Sequence, residues 1–113
     1  MNCIFCRIIA GEIPARIVIE EPELLAFRDV NPVAPTHVLV VPRRHIVSLA
    51  DITDSDADLI GRMFVAARKV AEIDGVVERG FRTVFNSGGD GGQTVFHLHL
   101  HVLAGRAMHW PPG

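Results

Sequence analysis

Three histidines alternate with two leucines near the C-terminal end of this 113-residue chain, at His97, His99 and His101. In an extended strand this alternation predicts that all three imidazoles lie on one face, with Leu98 and Leu100 on the other. An imidazole titrates near neutral pH and can act as a nucleophile, a proton carrier or a metal ligand. This segment is therefore the candidate chemical centre of the chain.

A glycine-rich loop precedes the histidines, with four glycines in positions 88–92. Glycine lets backbone N–H groups approach an anion and the Thr94 hydroxyl adds a donor, so the loop is either a phosphate cradle or a flexible hairpin turn. Because the loop runs directly into the imidazoles, we favour phosphoryl transfer. A neutral imidazole can attack phosphorus without a metal, and His99 is the expected nucleophile because the other two histidines flank it.

Length and composition favour one globular domain over residues 1–113. A net charge of −2 gives no basic surface for a long nucleic acid, although a single nucleotide remains a suitable ligand. No apolar run reaches the roughly 18 residues that span a bilayer, and the N-terminus does not resemble a signal peptide. We therefore expect a soluble, cytoplasmic protein that does not bind membranes.

Two cysteines, Cys3 and Cys6, lie near the start of the chain. Their spacing suits a metal or redox pair and does not suit a structural disulfide. Two ligands do not fill a tetrahedral zinc site, and cysteines in a helix are often simply packed. These residues alone leave both interpretations open.

The hydrophobic pattern predicts an α+β fold, with an antiparallel sheet of about five strands, one long helix and a short N-terminal helix. The predicted strands are 17–21, 24–29, 37–41 (the central one), 81–85 and the histidine segment, and the short helix covers 4–10. The long helix is predicted over 53–74, with Thr53 and Asp56 resembling a capping box and Gly75 at its end. Its apolar stripe, which we expect to be core, contains Leu59, Ile60, Met63, Phe64, Ala67, Val70 and Ala71.

The run from His97 to Leu103 resembles the His-x-His-x-His-x-x signature of the histidine triad superfamily, in which x is apolar. The nucleoside phosphoramidase branch, the histidine triad nucleotide-binding proteins, is indicated by Phe27-Arg28-Asp29, Ala34-Pro35-Thr36-His37, Asn86, Gly91–Thr94 and Met108–Gly113. The resemblance covers nearly the whole chain. It implies a homodimer that hydrolyses adenosine or guanosine 5′-phosphoramidates through a nucleotidyl intermediate on His99.

The same resemblance implies roles for individual residues. His101 would bond the α-phosphate and help to protonate the leaving group, His37 would support it, and Asp29 would accept the ribose hydroxyls. Trp110 would reach toward the partner's cleft, and Thr94 stands where many members have serine, which alters the leaving-group contact. The implied base pocket is Phe5, Ile8, Ile13, Phe27 and Val30, and the implied phosphate and leaving-group contacts are Asn86, Gly92, Gln93 and Thr94.

Bacterial members of this superfamily that begin with Cys-x-x-Cys bind a structural zinc. The resemblance places the remaining ligands at the histidine after the central strand and at the first triad histidine. It therefore implies a structural zinc site made of Cys3, Cys6, His45 and His97, which would clip the N-terminal segment to the fold, and no cofactor for catalysis. With zinc bound, His97 of the catalytic triad would be unavailable for proton transfer.

Two other classes of function stay open at this point. In a zinc-dependent metallohydrolase the triad imidazoles would hold a catalytic ion, and activity would be sensitive to chelators. In a nucleotide-binding regulatory module with vestigial activity, nucleotide affinity would be normal and turnover absent. The presence of His37, His99, His101 and Asn86 argues against the regulatory module, since binding alone does not need a nucleophile.

Overall fold

The computed structural model describes residues 2–113, and within them five antiparallel strands and two α-helices are arranged as an α+β fold. The strands are β1 (Ile17–Glu20), β2 (Leu24–Arg28), β3 (Thr36–Pro42), β4 (Phe81–Phe85) and β5 (Leu100–Ala104). The helices are α1 (Ile4–Ile9) and α2 (Ala57–Ile73), with short 3₁₀ turns at Leu49–Asp51 and Asp54–Asp56. The predicted fold class is confirmed. Neither helix has the length and apolar content to cross a membrane.

The sheet has the order β1-β2-β3-β5-β4, so β3 lies at its centre as predicted. Every residue of β3 is buried, which explains its nearly continuous apolar run. The predicted hairpin-like pairing of the last two strands is also confirmed, because Phe81 lies opposite Ala104 and Phe85 opposite Leu100.

Each face of the sheet carries its own apolar core. The face covered by α2 packs β2, β3 and β5 against the helix stripe, through residues that include Leu24, Val38, Val40, Met63, Ala67, Val70, Leu98, Leu100 and Val102. The opposite face packs against α1, through Phe5, Leu25, Phe27, Leu39 and Val41. One prediction about the stripe is wrong: Phe64 is 45% exposed, with its ring in edge-on contact with Phe85.

The long helix begins later than the sequence predicts, at Ala57 rather than Thr53. The capping box does form, but it closes the 3₁₀ turn that leads into α2, where the Thr53 N–H donates to Asp56 (2.8 Å). Gly75 ends the helix with φ +69°, a conformation that favours glycine, and its N–H donates to the Glu72 carbonyl.

The histidine segment is a strand only in its second half. Because β5 begins at Leu100, the prediction of an extended strand from His97 is wrong for the first residues. The Leu98 N–H donates instead to the Ile46 carbonyl, which lies just beyond the end of β3. The predicted alternation survives, since Leu98 and Leu100 are in the core under α2 while the imidazoles of His97 and His99 pack against α1.

Candidate active site

A cleft of about 450 Å³ opens on the face of the sheet that α2 does not cover. Part of its wall is apolar and comes from α1 and β2, and another part carries imidazoles from β3 and the histidine segment. It brings together ten residues predicted for catalysis or nucleotide binding, namely Phe5, Ile8, Ile13, Phe27, Asp29, Val30, His37, Thr94, His99 and His101.

Four residues predicted to contact the nucleotide do not line this cleft: Asn86, Gly92, Gln93 and Trp110. The Trp110 side chain is 82% exposed. Gln93 is buried, and its amide joins the loop to the segment after β3: Nε2 donates to the Val47 carbonyl (2.7 Å) and Oε1 accepts from the Gly88 N–H (2.9 Å). Gln93 therefore shapes the glycine-rich loop from inside it.

Gly91 allows this loop to fold back on itself. A Cβ at this position would overlap the backbone of Ser87, so no other residue fits without a shift of the chain. The tight turn ends just before Thr94, which lines the cleft. Backbone packing explains the glycine at position 91, and the role of the loop in binding an anion stays a prediction.

His99 presents one particular nitrogen to the cleft. Its Nδ1 lies 2.7 Å from the carbonyl oxygen of His97, and because a carbonyl only accepts, Nδ1 carries the hydrogen. Nε2 is then the nitrogen with the lone pair. Burial lowers the pKa of His99, which favours the neutral imidazole. A neutral imidazole with an available lone pair is the form that can act as a nucleophile.

A hydrogen-bonded chain fixes the hydrogens of His37 and His101. The Val33 N–H donates to His37 Nδ1 (3.1 Å), so neutral His37 carries its hydrogen on Nε2. That nitrogen lies 2.9 Å from His101 Nδ1 and donates to it. His101 therefore carries its own hydrogen on Nε2, where it can donate to a ligand in the cleft.

The surroundings keep these imidazoles neutral in the ligand-free protein. Burial lowers the pKa of His37 and, together with the neighbouring His99 and His37, lowers the pKa of His101 to about 4. An anionic ligand beside His101 would act in the opposite direction and favour its protonated form.

Asp29 lies at the edge of the cleft, in the turn that follows β2. Its Oδ1 accepts from the Asn31 N–H (2.8 Å), which makes a local turn, and its Oδ2 lies 3.4 Å from His37 Nε2. The carboxylate is partly exposed, so it can still accept hydrogen bonds from a ligand. Both readings of Asp29, the turn and the polar group in a binding cleft, fit this geometry.

Cys3, Cys6, His45 and His97 form a separate cluster, and the sequence resemblance anticipated this set. Their ligating atoms all lie within 4.8 Å of one another. His97 Nε2 donates to the Pro42 carbonyl (2.8 Å), so the lone pair of this fully buried imidazole is on Nδ1, which faces the cysteines. The Nδ1 atom lies 3.4 Å from Cys3 Sγ and 3.5 Å from Cys6 Sγ.

The distances within this cluster fit a tetrahedral zinc site. With usual zinc bond lengths, the edges of such a tetrahedron are about 3.3 Å between two nitrogens and about 3.6 Å between nitrogen and sulfur. His45 Nδ1 lies 3.1 Å from His97 Nδ1 and 3.3 Å from Cys6 Sγ. Burial and the neighbouring Cys3 raise the pKa of Cys6, and a divalent cation would reverse this by favouring the thiolate.

Comparison with known proteins gives a consistent result. The HIT domain family matches residues 10–108. The chain belongs to the HIT domain family. It is 49% identical to an uncharacterized HIT-like protein of Synechococcus elongatus over 112 residues, which is 99% of this chain and 97% of the relative.

Solved structures of HIT proteins share the fold. A HIT family hydrolase from Legionella pneumophila is 50% identical and superposes with a TM-score of 0.97, covering 99% of this chain and 100% of that one. A Zn-bound histidine triad family protein from Mycobacterium smegmatis is 32% identical with a TM-score of 0.82, covering 94% of this chain and 76% of that one. The chain is thus similar to a hydrolase and to a zinc-bound member of the HIT family.

Metal-ligating atoms in residues 2–113 of this HIT domain converge in two places. One is the cysteine cluster with His97, and the other joins His101 to Asp29 and His37. Each contains one histidine of the triad, and His99 is in neither. The geometry therefore does not favour a metallohydrolase in which the triad histidines hold one catalytic ion.

Sequence reasoning missed the backbone groups that fix the imidazoles of this HIT domain. They are the Val33 N–H and the carbonyls of Pro42 and His97. Backbone groups carry no residue-type signal, and these contacts depend on how distant segments meet. The only hint was Pro32 and Pro35, which restrict the loop that presents Val33.

Proposed function

We propose that this protein, as a single HIT domain over residues 1–113, is a purine nucleoside phosphoramidase. It would hydrolyse the P–N bond of adenosine or guanosine 5′-phosphoramidates to the nucleoside monophosphate and an amine. The observation that carries the proposal is the orientation of His99, whose Nδ1–H is held by the His97 carbonyl so that the Nε2 lone pair is available in the cleft. Membership of the HIT family and similarity to a HIT family hydrolase support the hydrolase class.

The reaction has two displacements at phosphorus. In the first, Nε2 of His99 attacks the α-phosphorus and the P–N bond to the amine breaks. The amine nitrogen takes the electron pair of that bond and a proton from Nε2 of His101 in its imidazolium form, which the bound phosphate would favour; His101 is left as a neutral imidazole and solvent reprotonates it. In the second, water attacks phosphorus, the electron pair of the P–Nε2 bond returns to His99, and the proton that water loses passes to solvent.

The cleft offers separate surfaces for the parts of a nucleotide. Phe5, Ile8 and Phe27 give an apolar wall suited to a purine. Asp29 is suited to accept from the ribose hydroxyls, and His101 donates toward the phosphate. Thr94 lines the cleft, and we propose that its hydroxyl contacts the leaving group while its methyl group shifts the preference among amines rather than the reaction class.

We also infer that the cysteine cluster holds a structural zinc. Four ligating atoms of suitable type and spacing support this, as does the similarity to the Zn-bound protein of Mycobacterium smegmatis. The residues that would hold it are Cys3, Cys6, His45 and His97. None of the nitrogens assigned to His37, His99 or His101 belongs to this cluster, so a zinc held there would leave these three imidazoles free for the proposed reaction.

We further propose a cytoplasmic homodimer. Two thiols arranged as ligands suit a reducing compartment. Apolar side chains are exposed on and beside the edge strand β4, including Phe81 and Phe64, which contacts Phe85, and they offer a surface for a second copy. The exposed Trp110 would then contact the partner's cleft, as the family resemblance implies. Light scattering after gel filtration tests the dimer.

The test of the proposed reaction is to trap the intermediate. The protein is mixed with adenosine 5′-phosphoramidate, quenched at alkaline pH where an N-phosphoryl histidine survives, digested and analysed by mass spectrometry. We expect an adenylyl group on His99 in the wild type and none in His99→Ala, whose thermal unfolding confirms that it is folded. Turnover without any labelled His99, in repeated early quenches, would contradict the covalent route.

A further inference from the structure

We propose that the Cys3–Cys6–His45–His97 cluster positions the nucleotide cleft, beyond clipping the N-terminal segment to the fold. By holding α1 and the His97 backbone, the cluster sets the apolar wall of the cleft and the orientation of the nucleophile. This inference rests on the proposed function for the identity of the ligand. Its structural half, the coupling of the cluster to α1, does not depend on the reaction.

The first connection runs through His97 itself. Its imidazole is fixed on both sides, by the Pro42 carbonyl at Nε2 and by the cluster at Nδ1. Its backbone carbonyl accepts the hydrogen bond from His99 Nδ1 (2.7 Å). A shift of the His97 backbone, which the anchored imidazole restrains, would therefore move the carbonyl that holds the nucleophile in its reactive orientation.

The second connection runs through α1. This helix has six residues, and isolated helices shorter than about 12 residues are marginal in water, so its position depends on its contacts. Cys3 is its N-cap, and Cys3 Sγ accepts from the Cys6 N–H (3.4 Å). Between the two cysteines lies Phe5, whose ring packs edge-on against His99 at 5.1 Å between centroids.

Phe5 joins the cluster to the substrate surface. The same ring contacts His97 (5.9 Å) and Phe27 (5.4 Å), and it lines the cleft together with Ile4 and Ile8. The two cysteines and the apolar residues of the cleft wall thus belong to one short helix and its N-cap. Loss of ligation would release both the wall and the packing against the nucleophile.

His45 is the residue that tests this connection most cleanly. It is exposed, it does not line the cleft, and its side-chain contacts are with Cys6 and His97 of the cluster. An effect of His45 on nucleotide binding must therefore pass through the cluster. Its neighbour Arg44 is also exposed, pairs with Asp56 and offers a matched control.

The experiment compares the zinc-loaded wild type with His45→Ala, with His45→Cys, which keeps a zinc ligand, and with Arg44→Ala. Four quantities are measured: zinc content, hydrogen exchange of residues 3–9, the Kd for AMP by calorimetry, and kcat and KM for adenosine 5′-phosphoramidate. Removing zinc from the wild type with a chelator and restoring it gives a second route if His45→Ala does not fold.

We expect His45→Ala to lose zinc, to exchange faster in residues 3–9 and to bind AMP about 10-fold or more weakly, with a matching fall in kcat/KM. His45→Cys should restore zinc, protection and affinity, and Arg44→Ala should resemble the wild type. A zinc-free protein that keeps wild-type protection and AMP affinity would overturn the proposal, as would a wild type that takes up no zinc. If AMP binds but no substrate turns over, the phosphoramidase proposal fails, while exchange and Kd still decide this one.

Discussion

Two neighbouring histidines on one segment face two different sites, because each presents a different nitrogen. His97 donates from Nε2 to a carbonyl and turns Nδ1 toward two cysteines, whereas His99 donates from Nδ1 to a carbonyl and turns Nε2 toward the cleft. Both imidazoles are buried, and burial lowers the pKa of both. Burial therefore does not separate the two roles.

The two histidines differ in which ring nitrogen donates to a backbone carbonyl. A carbonyl acceptor fixes which nitrogen of an imidazole carries the hydrogen, and so which one is left to bind a metal or attack phosphorus. In this chain the acceptors are Pro42 for His97 and the His97 backbone for His99. The alternation of the motif places both imidazoles on the same face of the sheet, and the carbonyls determine which ring nitrogen keeps its lone pair.

The largest effect on activity should come from comparing the loss of His99 with the loss of His97. His99→Ala removes the proposed nucleophile, so we expect kcat/KM for adenosine 5′-phosphoramidate to fall at least ~10⁴-fold while AMP still binds. Retention of a tenth of the activity would remove His99 from its assigned role. The matched variant His97→Ala should instead lose zinc and become less stable, as measured by metal analysis and thermal unfolding.

The next effect tests the donor in the cleft. His101→Ala removes an Nε2–H directed at the phosphate and the leaving group, so we expect a loss of ~10²- to 10⁴-fold in kcat. A substrate with a more acidic amine as leaving group should recover part of this loss, because it needs less help from a proton donor. An equal loss with both substrates would argue against a role for His101 at the leaving group.

A smaller effect should distinguish sugar recognition from catalysis. Asp29→Asn keeps the size of the side chain but weakens its capacity to accept hydrogen bonds, so we expect KM for a ribonucleoside substrate to rise about 10-fold. The 2′-deoxy substrate should be affected less. The comparison of the two substrates in steady-state kinetics checks this, and equal changes in KM would assign Asp29 to the local turn alone.

The smallest effect concerns stability against pH. The pKa of His101 is about 4 in the folded protein and ordinarily 6.5, so the unfolded state binds the proton more readily. Its contribution is fully present above about pH 6.5 and is lost as the pH falls toward about 4. Urea unfolding should show the wild type losing roughly 2 kcal/mol more than His101→Gln between pH 7.5 and pH 5. Parallel pH profiles would contradict the lowered pKa.

The sequence predicts those elements whose pattern is local. The strand at Phe81–Phe85 matches its prediction residue for residue, and the capping box at Thr53 and Asp56 forms as expected. The predicted start of α2 is four residues too early, and the predicted start of β5 is three residues too early. At each of these places another local structure intervenes, a 3₁₀ turn at Asp54–Asp56 and a contact of the Leu98 N–H with a distant carbonyl.

In the candidate site, too, some features follow from the sequence and others depend on contacts between distant segments. Residue types and the family resemblance predict which side chains meet in the cleft and in the cysteine cluster, and ten of the predicted residues do line the cleft. The hydrogen-bond partners of Gln93 were not predictable from its residue type. Its amide was expected to contact the substrate, yet it bonds to the Val47 carbonyl and the Gly88 N–H. Such partners are set by tertiary packing, which a local pattern does not contain.

The most direct test of the central claim is to observe the hydrogens on the imidazole nitrogens. Nitrogen-15 NMR of histidine-labelled, zinc-loaded protein at neutral pH distinguishes a protonated ring nitrogen from one with a lone pair. The account predicts that His99 is protonated at Nδ1 and His97 at Nε2, with His101 protonated at Nε2. A His99 protonated at Nε2 would leave no lone pair facing the cleft and would contradict the assignment of the nucleophile.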